Sequence, residues 1–234
     1  MNEDIEANIQ NIRQRIAAAA ARAHRDPAGI RLMAVSKTVE PERIQRALDA
    51  GITLLGENYV QEAREKIPAV GRGAEWHMIG HLQTNKAKYV VHLFDWIHSV
   101  DRLELAQELD KRACQHNRRL NVLVEVNVSG EASKNGIEPS GVPELVRRIS
   151  ALPHLTIRGL MTMPPYSDNP ENSRPYFQAL RGLRDEIHAA AIPNVRMDEL
   201  SMGMTDDFEV AVEEGATIIR VGRAIFGERR HSPQ

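Results

Sequence analysis

Apolar positions recur along this chain with two different periods. Ile5, Ile9, Ile12 and Ile16 fall at helical spacing, which predicts an amphipathic helix over residues 3–23. Beyond the Asp26-Pro27 break, short apolar runs alternate with longer amphipathic stretches. The runs at 30–36, 53–55, 75–79, 94–98, 121–128, 155–161, 197–202 and 217–221 predict strands. The stretches near 41–50, 58–67, 84–92, 101–117, 140–151, 171–191 and 206–214 predict helices. Pro41 suits a first helical turn, Thr84 reads as a helix cap, and Asp206 with Glu209 reads as a capping pair. Strict alternation of strand and helix predicts parallel βαβ units. Eight strands close as an α/β (β/α)8 barrel of the TIM type, with an extra N-terminal helix, as one domain over 1–234. A doubly wound open sheet is the alternative, because periodicity alone does not separate the two. The tail HSPQ at 231–234 is expected to fray.

Composition narrows the picture. Aromatic residues are scarce, so Leu, Ile, Val, Ala and Met must fill the core. With 30 basic and 32 acidic side chains there is no basic footprint of a nucleic-acid binder. Cys114 is the only cysteine, so no intramolecular disulfide forms, as suits a reducing compartment. The acidic, polar start MNEDIEANIQ is unlike a signal or transit peptide, and no apolar run reaches membrane-spanning length. The expectation is a soluble cytoplasmic protein.

Barrels of this kind carry chemistry at the C-terminal ends of their strands. That rule selects Ser36-Lys37, Gly56-Glu57-Asn58, Gly80-His81, Asn127 to Ser129, Met161-Thr162, Ser201 to Thr205 and Gly222-Arg223. Only six of the 30 basic residues are lysines. Lys66, Lys88 and Lys111 fall in helix-like stretches and read as solvated. Lys37 directly ends an apolar strand, where partial desolvation favours a neutral, nucleophilic amine. A strand-end lysine reaching solvent is the plain alternative. Lys86 is the rival, although its place near a helix start reads more readily as an exposed charge.

Two further signals converge on a phosphate. Ser201-Met202-Gly203-Met204-Thr205-Asp206 passes from a strand into a helix; Gly203 permits close backbone approach, and a helix N-terminus offers N–H groups to an anion. The last strand ends in Val221-Gly222-Arg223, and barrel phosphate sites often use the loops after strands seven and eight. Two ordinary glycine turns are the alternative. Arg220 alternates with Ile219 and Val221 and can point into the barrel, where a guanidinium needs a partner. That partner is either a carboxylate, Glu125 or Glu199, or a heteroaromatic nitrogen or acid of a ligand. His77 and His81 stand on a strand and a loop, and there is no H-E-x-x-H or cysteine pair, so no zinc site is expected. A G-x-S-x-G elbow and a P-loop are absent too. A phosphate-bearing cofactor with a carbonyl for Lys37 fits what remains.

At these residues the chain resembles the pyridoxal phosphate homeostasis protein family. The likeness covers nearly the whole chain, through AVSKTVEPERIQRALDAG at 34–51, GENYVQEAREK at 56–66, WHMIGHLQTNKAK at 76–88, EVNVSGEASKNGI at 125–137, RGLMTM at 158–163, LSMGMTDDFEVAVEEGAT at 200–217 and IRVGRAIFG at 219–227. The resemblance implies a fold like the N-terminal barrel of alanine racemase. It implies pyridoxal 5′-phosphate (PLP) held as an aldimine on Lys37. Ser201, Gly203, Met204, Thr205, Gly222 and Arg223 would surround the phosphate, largely through backbone N–H groups. Arg220 would face the pyridine nitrogen, and Asn58 would lie near the ring. Thr205 departs from the family's usual serine but keeps the hydroxyl. Arg223 replaces a small hydroxyl residue and leaves its backbone N–H available.

The resemblance favours a PLP carrier in vitamin B6 homeostasis that buffers the cofactor and hands it to PLP-dependent apo-enzymes. It would act as a cytoplasmic monomer, without rapid turnover and without membrane or nucleic-acid partners. The alternative is an amino-acid racemase. Two-base racemization needs an acid/base on each face of the ring. Lys37 supplies one; alanine racemases draw the other from a C-terminal β-domain, for which 234 residues leave no room. His81 or Tyr59 could substitute, but nothing singles them out. Arg220 is a poor proton donor to a pyridine nitrogen, which weakens the cofactor as an electron sink. A phosphosugar-binding barrel enzyme is a third reading, and it leaves a strand-end lysine facing Arg220 unexplained.

Overall fold

The computed structural model describes residues 4–71 and 73–228. The polypeptide opens with helix α1 (Ile5–Arg22), capped by the Asp4 carboxylate, which accepts from the Ala7 N–H at 3.1 Å. Its isoleucine stripe, Ile5, Ile9, Ile12 and Ile16, is buried on one face, as a 3.6-residue period requires. Strands then alternate with helices: β1 (Arg31–Val35), α2 (Pro41–Asp49), β2 (Leu54–Glu57), α3 (Val60–Val70), β3 (Glu75–Met78), α4 (Ala87–Leu93), β4 (Trp96–Val100) and α5 (Leu103–Gln115). The order continues through β5 (Leu120–Glu125), α6 (Val142–Ser150), β6 (Leu155–Met161), α7 (Arg174–Ala189), β7 (Val195–Ser201), α8 (Phe208–Glu213), β8 (Ile218–Val221) and the single turn α9 (Arg223–Phe226).

Neighbouring strands pair in parallel, and β8 returns to β1 with Met33 opposite Arg220, closing an eight-stranded barrel. The open sheet is thereby excluded: every strand has a neighbour on both sides and none is left at an edge. The larger core lies between the strands and the helices. Inside the barrel the filling is mixed. One apolar group gathers Met33, Val35, Leu54, Ile79 and Ile218, and another gathers Trp96, Leu123 and Met161. Between them stand buried His77, His98, Glu125, Ser201 and Arg220. The barrel interior therefore contains a polar seam.

Several boundaries differ from the sequence reading. β4 starts at Trp96 rather than residue 94, because its ladder begins where Trp96 meets His77. Helix α3 runs through Pro68 in its last turns. The 84–86 segment is a 3-10 turn ahead of α4, and Thr84 accepts from Arg102 at 3.2 Å instead of capping a helix. Helix α8 is preceded by Asp207, not Asp206. Asp207 accepts from the Met204 N–H at 2.7 Å, while Asp206 binds Arg223 at 2.6 Å. Residues 231–234 lie outside the described residues.

Candidate functional site

Side chains alternate in and out along a strand. Met33 and Val35 face the barrel interior, so Lys37 continues that parity at the mouth, half-buried. By the same parity Arg220 follows Ile218 inward. Arg220 is 3% exposed. It donates to the Ser201 hydroxyl at 2.7 Å and to the Thr162 carbonyl at 2.8 Å. Neither expected carboxylate pairs with it: Glu199 binds Arg31 at 3.0 Å, and Glu125 acts on it only through space. Burial lowers the Arg220 pKa to about 10, with Asp207 and Glu125 opposing that shift. It remains a cation at neutral pH.

The two turns after β7 and β8 meet at the same mouth. Gly203 has φ +91°, and a Cβ there would lie 2.5 Å from the Ala211 Cβ, so any side chain would collide with α8. The Gly203 carbonyl accepts from the Arg220 N–H at 3.0 Å, tying the turns together, and the Asp206–Arg223 ion pair ties them again outside. The N–H groups of Thr205, Asp206, Arg223 and Ala224 have no acceptor among the described residues. Free N–H groups on two neighbouring turns suit an anion. The Met204 N–H is already taken by Asp207. The Ser201 hydroxyl points into the barrel, toward Arg220 and His98, rather than toward these turns.

Across the mouth, Asn58 follows β2. Its Oδ1 is buried without a partner among the described residues. Gly80 packs against it so closely that a Cβ would sit 2.3 Å from the Asn58 carbonyl oxygen. A cavity of about 360 Å³ lies beside Asn58 and includes Tyr59, His81 and Lys86. Tyr59 is 54% exposed, and His81 stands 3.9 Å from Asp101. Glu125 ends β5 with its Oε2 also buried and unpartnered; burial, then Asp101, raises its pKa to about 7.

Sequence reasoning missed Lys66. It is buried rather than solvated, and its ammonium donates to the Ser36 carbonyl at 2.7 Å, Glu57 at 3.0 Å and Glu62 at 2.6 Å. Ser36 adds a bond to Glu57 at 2.7 Å, and Glu62 accepts from the Thr38 N–H at 2.8 Å. These contacts clamp the ends of β1 and β2 on either side of Lys37. The i to i+4 spacing of Glu62 and Lys66 was the available signal. Lys88 and Lys111 are exposed, as expected.

A phosphorylated aldehyde cofactor fits these residues. A half-buried lysine, a buried guanidinium, free N–H groups around a glycine cradle and an orphaned amide oxygen surround one mouth. Residues 5–230 match the family model of the alanine racemase N-terminal domain. The pyridoxal phosphate homeostasis protein of Aquifex aeolicus is 48% identical over 224 residues, covering 95% of this chain and 97% of that protein. Its namesake in Escherichia coli K12 is 42% identical over 237 residues, 98% of each. This chain belongs to the pyridoxal phosphate homeostasis protein family. Among solved structures, PipY of Synechococcus elongatus with PLP bound superposes with a TM-score of 0.79 at 36% identity, covering 92% of this chain and 100% of that one. Alanine racemase of Clostridium difficile superposes with a TM-score of 0.78 at 14% identity, over 58% of its length, which shows a shared fold.

Proposed function

We propose that this chain is a PLP-binding protein of vitamin B6 homeostasis that holds the cofactor as a Schiff base on Lys37. The observation that carries the reading is the convergence of Lys37, Arg220 and the two N–H-lined turns on one barrel mouth. The names of the family's close relatives support the role, and they describe homeostasis rather than a reaction. Bound PLP supplies an aldehyde conjugated to an electron-withdrawing ring. Lys37 offers the amine. The turns at Gly203, Met204 and Thr205 and at Gly222 and Arg223 cradle the phosphate, with the free N–H groups of Thr205 and Arg223 as donors. Arg220, supported by Ser201, faces the ring nitrogen, and Asn58 lies beside the ring. Arg220 only donates hydrogen bonds and stays charged, so it leaves the ring nitrogen unprotonated and the ring a weak electron sink. A weak electron sink disfavours carbanion chemistry, racemization included, and suits storage and supply; hand-over to apo-enzymes by a cytoplasmic monomer is part of the proposal.

Borohydride reduction of the PLP-loaded protein followed by peptide mass mapping tests the attachment. The pyridoxyl group is expected on Lys37; finding it on Lys86 overturns the assignment. The same sample, incubated with a panel of L-amino acids, is expected to show slow spectral changes without product. Turnover at roughly 1 s⁻¹ or faster would restore the racemase.

A further inference from the structure

Arg220 is the top of a buried polar column that the PLP site does not by itself require. Below it, the Ser201 hydroxyl lies 3.0 Å from His98 Nδ1, and His98 Nε2 lies 2.7 Å from His77 Nδ1. His77 Nε2 ends the column 3.4 Å from Glu75 Oε2 at the opposite end of β3, without a hydrogen bond among the described residues. Both histidines are fully buried. Trp96 stacks on His77 at 5.2 Å and 11°, fixing its ring. Arg31 holds the Glu75 carboxylate from the other side at 3.3 Å.

Arg220 sets the direction of the uppermost bond. A guanidinium only donates, so the Ser201 oxygen accepts from Arg220. Below it Ser201 Oγ, His98 and His77 each lie within hydrogen-bond distance of the next, while His77 Nε2 makes no hydrogen bond among the described residues. Where the Ser201 hydroxyl donates to His98 Nδ1, His98 Nε2–H donates to His77 Nδ1 and His77 carries its proton on Nε2. Burial pushes both imidazoles well below their ordinary pKa, in keeping with single-proton rings. Leucine or phenylalanine would fill this space without the cost of burying polar groups.

We propose that His98 and His77 are positioning residues: acting through Ser201, they form a one-way hydrogen-bond chain that holds the Arg220 guanidinium oriented toward the cofactor site. The proposal rests on the PLP reading for its consequence, but the chain itself is a property of the cofactor-free protein. Bonds aligned head to tail polarise one another, so breaking the chain at any link loosens the one above. Ser201→Ala cuts it directly beneath Arg220, His98→Leu one step lower, and His77→Leu two steps lower. His98→Gln offers both an acceptor and a donor and restores the link in part.

The full-length protein carries the test. In the apo-protein, NMR of the arginine side chains follows the protection of the Arg220 guanidinium from exchange. Protection is expected to fall in the order Ser201→Ala, His98→Leu, His77→Leu, and to return in part in His98→Gln. Circular dichroism and thermal melting establish that each variant is folded. With PLP, borohydride trapping should still mark Lys37 in His98→Leu, while affinity drops about tenfold, one charge-assisted hydrogen bond's worth, and the visible band shifts. If wild-type protein fails to trap PLP, the PLP reading fails while the NMR result still judges the chain. If folded Ser201→Ala and His98→Leu keep wild-type Arg220 protection, the chain is refuted. Should His98→Leu not fold, Ser201→Ala and His98→Gln decide alone.

Discussion

At the scale of single residues, the site is a set of polar groups in which Asn58 Oδ1 and Glu125 Oε2 are buried without a hydrogen-bond partner among the described residues. Lys37 and Arg220 were legible from the alternation of strand residues and from their places at strand ends. Glu125 was visible only as a rival partner for Arg220. The structure gives it a different character: burial and the neighbouring Asp101 carboxylate raise its pKa to about 7, against an ordinary 4.5, despite the opposing pull of Arg220. Between those values the folded protein holds a proton that the unfolded chain has lost. Its contribution to stability is therefore complete below about pH 4.5 and is lost as pH rises through 7. Glu125→Gln keeps the shape and removes the titration. Urea unfolding of the apo-protein is expected to show the wild type losing on the order of 2 kcal/mol relative to Glu125→Gln between pH 5 and pH 8. The buried histidines have lowered pKa values and act with the opposite sign below pH 6.5, but they do so in both proteins. Stability curves that stay parallel would contradict a neutral Glu125.

At the scale of elements, the mouth depends on how strand ends are tied. The ends of β1 and β2 carry Lys37 and Asn58, and the Lys66–Glu57–Glu62–Ser36 network joins them to α3. Removing one member of a buried ion pair leaves the other charge without compensation, at a cost of about 3–5 kcal/mol. Lys66→Met is expected to destabilise the protein by roughly 3 kcal/mol and to weaken PLP retention, although Lys66 is not placed in contact with PLP. Adding Glu57→Gln should recover part of the loss, because the orphaned carboxylate is then gone. Equilibrium unfolding of the two single variants and the double variant measures this coupling. Simple additivity would mean that the network is not a unit. The helix pattern displayed Glu62 and Lys66 at i and i+4, yet it assigned Lys66 to solvent. Helical periodicity reports which face a residue occupies, not that a strand-end carboxylate and a carbonyl will meet that face.

At the scale of the whole molecule, closure of the barrel couples distant parts. Helix α1 packs its isoleucines inward and bonds to the elements that follow the two turns: Arg15 to Glu209 at 2.6 Å, Arg22 to Glu213 at 2.7 Å, and Asn8 to the Ile225 carbonyl at 3.0 Å. We infer one cooperative unit. Thermal unfolding should show one transition, and PLP should raise stability throughout, by about 2.7 kcal/mol at a free concentration one hundred times Kd. Lys37→Ala should retain the fold and lose most of that gain. Two resolved transitions, only one of them shifted by PLP, would overturn the single-unit reading.

The sequence by itself determined the order and kind of the elements, because helical and strand periodicities are local consequences of side-chain direction. It also marked Lys37, the Gly203 turn and Arg220, since strand ends and glycine turns are local features too. Barrel closure was left open by periodicity and appears only in the pairing of β8 with β1. Tertiary structure alone decided the rest: that Asp207 rather than Asp206 ties the turn to α8, that Ser201 looks into the barrel, that Lys66 is buried, and that His77 and His98 meet Ser201 beneath Arg220. Apart from the Asp207 tie, which joins residues three apart, each of these unites residues from different elements, up to 103 positions apart for His98 and Ser201. No periodicity within one segment encodes such a meeting; the register of a closed barrel does.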